Sequence, residues 1–188
     1  MRPLALLAAG MALGFAAVGA GGLAVVAFGL FDATAATPHD AITGWATHAA
    51  MISSMRERAR DIVPPAAFDG AEVRAGAALY DAHCALCHGG PGFPRQTWVA
   101  GMTPTPPFLV DAARDWTPAE LDLILSDGVK MTAMPSWRPV LSEGQIWDIV
   151  AFIEAMPYLT ARDYAAMRRP APAVNPPPDP TARPPAGP

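Results

Sequence analysis

From Pro3 to Phe31 the chain reads PLALLAAGMALGFAAVGAGGLAVVAFGLF, with no charged side chain. An uncharged apolar run longer than ~18 residues predicts a helix able to cross a membrane. Apolar positions then recur at helical spacing. Trp45, His48, Ala49, Ile52 and Met55 make one narrow stripe, and Arg56, Glu57, Arg58, Arg60 and Asp61 crowd its end. Thr37 as N-cap, Pro38 at the first helical position and Asp40 in the first turn predict a helical stalk that stops before Pro64-Pro65. Val73, Ala77 and Tyr80 share a face of a further helix that runs directly into HCALCHG at 83–89.

Two capping boxes announce the next helices. Thr117-Pro118-Ala119-Glu120 opens one that ends at Gly128, and Ser142-Glu143-Gly144-Gln145 opens IWDIVAFIEAM, whose apolar face is Ile146, Ile149, Val150 and Ile153. A last short helix is expected from Thr160 to about Arg169. No alternating, strand-like segment interrupts the series, so the fold class is all-α. The stretch from Gly89 to Trp116 is rich in proline and glycine, and a loop of that length in a small domain is usually functional or wrapped around something. The helices supply little apolar surface for so much irregular backbone, which implies a non-protein group at the centre.

Composition separates the ends from the middle. Of the 22 prolines, nine fall in residues 170–188, so the excess belongs to a tail expected to be a disordered or polyproline spacer. Residues 1–32 compete between a retained anchor and a secretory signal peptide, since Ala33-Thr34-Ala35 fits a small-residue cleavage site. The apolar region of a signal peptide spans only ~7–15 residues, so the anchor is favoured; either alternative exports everything after Asp32. Arg2 ahead of the span agrees with a cytoplasmic N-terminus. The expected organisation is an anchor over 1–32, a helical stalk over 37–63, a compact domain over 66–169 and the tail over 170–188.

Both cysteines of the chain lie in C-x-x-C-H, Cys84 to His88. Two thiols on one helical turn can each form a thioether, and the imidazole behind them then points at a metal from the same side. This is the attachment signature of c-type haem. A dithiol of thioredoxin type needs a preceding strand, and a structural zinc needs a second ligand pair, neither of which is present. A Cys84–Cys87 disulfide is the plain alternative for an exported protein, but it leaves His88 unexplained. One covalently attached haem c is expected, held by Cys84 and Cys87 with His88 as proximal iron ligand. For the sixth position GVKMTAMPSWRP at 128–139 offers Met131 and Met134, and Met102 is a more distant choice. A thioether there favours electron transfer over ligand binding. Trp137 follows closely enough to cover the ring edge. His39, His48 and His83 are expected to be surface or packing residues.

GAALYDAHCALCHGGPG, PPFL, ILSDGVKMTAMPSW and LSEGQIWDIVAFIEAM together resemble the class I cytochromes c, in particular bacterial mono-haem proteins with an N-terminal membrane anchor. The resemblance covers about Phe68 to Pro157. It implies Met134 as the distal ligand, because Met134 precedes the proline of that block. It also implies that the carbonyl of Pro107 accepts a hydrogen bond from His88, and that Tyr80 and Trp147 pack where helices cross. The function implied is a membrane-tethered electron carrier in the bacterial periplasm, anchored as a single pass in the inner membrane. It would be a free shuttle or a subunit of a respiratory, oxidase or dehydrogenase complex, and not itself an enzyme. A small-ligand sensor or peroxidase-like enzyme with an open sixth position is the alternative. Between Phe68 and Tyr164 six basic side chains face twelve acidic ones, a net of −6, so redox partners with basic or apolar patches are expected and nucleic acid is not.

Overall fold

The computed structural model describes residues 2–168; the expected tail at 170–188 lies outside them. The chain divides at Thr37 into two units. The first contains one helix, α1 (Arg2–Ala27), which is long and apolar enough to cross a membrane and buries none of its residues within the protein.

The second unit begins at Pro38. Its first helix, α2 (Ala41–Arg58), starts later than the Thr37-Pro38 signal implies. Asp40 is the N-cap, and its carboxylate accepts from the backbone N–H of Ile42 and Thr43 at 3.0 Å each. Asp caps a helix at least as well as Thr and carries a charge that suits the helix N-terminus, so the later of two adjacent signals prevails. The apolar stripe of α2 divides. Met51, Ile52 and Met55 are half-buried, whereas Ile42 and Trp45 are exposed. The C-terminal end of α2 is tied to the domain through Arg56, which pairs with Glu120 at 3.6 Å and lies 6.0 Å from the Trp116 ring.

Helices α3 (Gly70–His83), α4 (Ala85–His88), α5 (Ala112–Asp115), α6 (Pro118–Asp127), α7 (Glu143–Ala155) and α8 (Ala161–Met167) complete the unit. Among the described residues there is no strand, only an isolated antiparallel bridge between Gly90 and Phe93. The capping boxes of α6 at Thr117/Glu120 and α7 at Ser142/Gln145 form as the sequence implies, and a third caps α3 at Asp69/Glu72. Gly128 ends α6 at φ +70°. The long Gly89–Trp116 stretch is less irregular than expected, since it contains a 3₁₀ segment over Thr97–Gly101 as well as α5.

The core is the crossing of α3 and α7. A Cβ on Gly76 would lie 1.8 Å from the backbone oxygen of Asp148 and 3.0 Å from the Phe152 Cβ, so this glycine lets the two backbones touch. One turn on, Tyr80 is fully buried with its ring 5.1 Å from Phe152. Trp147 instead packs beside Phe68, 6.3 Å away. Helix α8 belongs to the same core. Tyr164 stacks on Phe152 at 5.5 Å, and Arg168 pairs with Asp81 of α3.

The α3–α7 crossing also gathers negative charge. Burial, and after it the Glu72 and Asp69 carboxylates, hold the Asp148 carboxyl above its usual range. A raised carboxyl pKa means the folded state binds more protons than the unfolded one, so stability falls as pH rises from the ordinary carboxylate range through the folded value. Asp148→Asn is therefore expected to raise the melting temperature slightly at pH 7, a gain of less than ~1 kcal/mol in stability for a half-buried, partly solvent-screened group. The gain should vanish at a pH below the ordinary Asp value; a gain that persists there would contradict the electrostatic origin.

Candidate haem site

The C-x-x-C-H motif occupies one continuous helical turn. Cys84 caps α3, with its N–H bonded to the Tyr80 carbonyl at 2.8 Å. The Cys84 carbonyl then accepts from Cys87 at 3.1 Å and His88 at 2.9 Å. Helix α3 thus runs directly into the motif turn, with Cys84 as the junction. Gly89 closes the turn at φ +66°, where a side chain would be strained. A Cβ there would also lie 2.9 Å from the Phe93 oxygen and 3.2 Å from the Phe108 ring. The Gly89 carbonyl accepts the buried Tyr80 hydroxyl at 2.6 Å, which locks this corner to the core.

The two thiols are not joined to each other. Cys84 is buried in the core cluster and Cys87 is half-buried. Burial, with a smaller effect from Cys87, pushes the Cys84 thiol up to about 12, so it stays protonated at neutral pH.

His88 is half-buried, and its Nδ1 lies 2.8 Å from the Pro107 carbonyl oxygen. Burial lowers the His88 pKa, the Pro107 hydrogen bond opposes this and the Arg95 charge adds to it. The imidazole is therefore neutral at pH 7. Because a carbonyl can only accept, Nδ1 carries the proton and Nε2 keeps its lone pair for a metal.

Met134 and Trp137 both pack against the core cluster that holds Cys84. The loop bearing them folds back on the end of α6. The Val129 N–H donates to the Met134 carbonyl at 3.1 Å, the Ser136 hydroxyl to Ser126 O at 2.6 Å and the Trp137 N–H to Leu125 O at 3.0 Å. Gly128 is required there, since a Cβ would meet the backbone of Pro135 at 2.5 Å. Met131 sits apart, 92% exposed and at φ +61°, and is thereby separated from Met134.

The donor set suits a haem: two unjoined thiols on one turn, a neutral imidazole with Nε2 unprotonated, and a thioether on the loop after α6. The Trp137 indole Nε1 and the His83 Nε2 are buried without a hydrogen-bond partner, and the two rings are 5.0 Å apart beside Cys84. Residues at this site that the motif does not announce are Arg95, whose guanidinium donates to the Pro106 carbonyl and covers the Phe108 ring at 4.3 Å, and Gly89. Arg95 has no local pattern around it, and only the C-terminal neighbour of the motif histidine being glycine could have drawn attention to Gly89.

Over the residues it matches, a family model indicates a class I c-type cytochrome domain, a class that carries a c-type haem. Residues 71–153 match the family described as cytochrome C oxidase, cbb3-type, subunit III. No curated protein matches the chain.

Proposed function

We propose that this chain is a membrane-tethered electron carrier with one covalently attached haem c, whose iron is ligated by His88 and Met134. The observation that carries the proposal is the His88 Nδ1–Pro107 hydrogen bond, which leaves the Nε2 lone pair uncommitted on a turn bearing two unjoined thiols. When bound, haem supplies a one-electron ferric/ferrous couple. Cys84 and Cys87 would hold it by two thioethers, the Pro107 carbonyl would orient His88 and raise its basicity, and the Met134 thioether would favour the reduced state. Trp137, tied by its backbone to Leu125, would cover the haem edge on the Met134 side. Rigid ligands on a helix turn and a backbone-tethered loop limit rearrangement between the two oxidation states.

Helix α1 is the anchor in this proposal, a single pass through a bacterial inner membrane with the haem domain in the periplasm. The matched family's description names an oxidase subunit, so the partner is a membrane-bound redox complex, an oxidase above all, with this chain as a subunit or a tethered shuttle.

The test is the weak near-infrared sulfur-to-iron band of the oxidised holoprotein. The band is expected in wild type and in Met131→Ala, and lost in Met134→Ala. A wild-type protein without it, binding carbon monoxide when reduced at neutral pH, would replace electron carriage with small-ligand sensing or peroxidase-like chemistry.

A further inference from the structure

We propose that Arg95 is a positioning residue for the proximal ligand: it fixes the Pro107 carbonyl against His88 by gripping the residue on each side of that proline. The proposal rests on His88 being the proximal ligand. Pro107 lies in an exposed loop with no regular structure, so its carbonyl has no local reason to stay where the imidazole needs it. Arg95 supplies one. Its Nη1 donates to the Pro106 carbonyl, and its planar face covers the Phe108 ring, with the guanidinium carbon 4.3 Å from the ring centroid. The residue between these two holds is Pro107.

Arg95 is itself fixed relative to the cysteine turn. The N–H of its neighbour Gln96 donates to the carbonyl of Leu86, between the two cysteines, at 2.9 Å. On its other side Phe93 and Gly90 exchange two backbone hydrogen bonds, at 2.8 and 2.9 Å. Phe108 in turn lies against Gly89, the residue after His88. The motif turn, Arg95 and the 106–108 segment therefore form a closed ring of contacts, with the His88–Pro107 bond inside it. Only a guanidinium can donate in its plane to Pro106 while stacking on Phe108; a lysine ammonium can do one or the other.

The experiment follows the His88 Nδ1 proton by NMR in the reduced, diamagnetic holoprotein, for wild type, Arg95→Gln and Arg95→Lys. In wild type this proton and the Met134 methyl should both show ring-current shifts; an unshifted His88 proton would overturn the ligation assignment and this inference with it, whereas an unshifted Met134 methyl alone would count only against the distal ligand. Solvent exchange of the Nδ1 proton is expected to be at least tenfold faster in Arg95→Gln, while the α7 amides of Ile149 and Val150 keep their wild-type rates. Arg95→Lys, which keeps stem and charge, should lie between and gives the answer if the glutamine variant does not fold. Unchanged exchange, or exchange that quickens only in step with the α7 amides, would overturn the assignment.

Discussion

Gly76→Ala is expected to lower the melting temperature of the holoprotein by roughly 10–20 °C, a loss of about 3 kcal/mol. Two effects oppose each other at this position. Alanine is the better helix former, which would add up to ~1 kcal/mol in an exposed helix interior. Against that, the new Cβ would stand 1.8 Å from the Asp148 backbone oxygen, and no rotamer change can relieve a clash with backbone. The helices must part, and parting them loosens Tyr80, Phe152 and Tyr164, all of which are 0–1% exposed. Interiors packed to crystal density do not absorb such a displacement locally. Gly144→Ala serves as the control, because nothing lies within 4 Å of its Cβ position; there the propensity gain should appear alone. A Gly76→Ala protein as stable as wild type would mean that α3 and α7 do not meet at this closeness.

The contrast between those two glycines marks what could be read from the sequence. Helix ends were legible because a cap is settled within four residues: Thr117 with Glu120, Ser142 with Gln145 and Gly128 all act where the chain places them. The α2 start was misjudged for the same local reason, as two capping residues stand close together and the sequence does not rank them. Gly76 was not legible. It sits in a helix whose pattern is complete without it, and its meaning depends on Asp148, 72 positions later. Tyr164 and α8 are similar: the helix was expected, but its place in the core was not, because that depends on Phe152 and on the surface left by Gly90, where a Cβ would lie 2.5 Å from the Tyr164 ring. At the site, the C-x-x-C-H spacing is a local signal, contained within the five residues Cys84 to His88, and is therefore visible in the chain. The ring of contacts through Arg95 joins three separated segments and leaves no spacing at all.

Removing both thiols, by Cys84→Ala with Cys87→Ala, is expected to abolish the haem that stays with the polypeptide through denaturing electrophoresis. Each single variant should keep it through the remaining thioether. Denaturation separates the two kinds of attachment: iron bonds from His88 and Met134 would depend on the fold and be lost with it, whereas a sulfur–carbon bond would survive. The two cysteines should nevertheless differ in the native protein. Cys84 is 5% exposed and belongs to the core cluster, so Cys84→Ala also leaves a gap against the α3–α7 crossing, while Cys87 is only half-buried. Core truncations carry a cavity cost beyond the transfer of the lost atoms, so Cys84→Ala should melt below Cys87→Ala. Haem retained by the double variant under denaturing conditions would defeat the thioether assignment. Single variants melting at the same temperature would show instead that the core tolerates loss of the Cys84 sulfur, leaving the attachment chemistry intact.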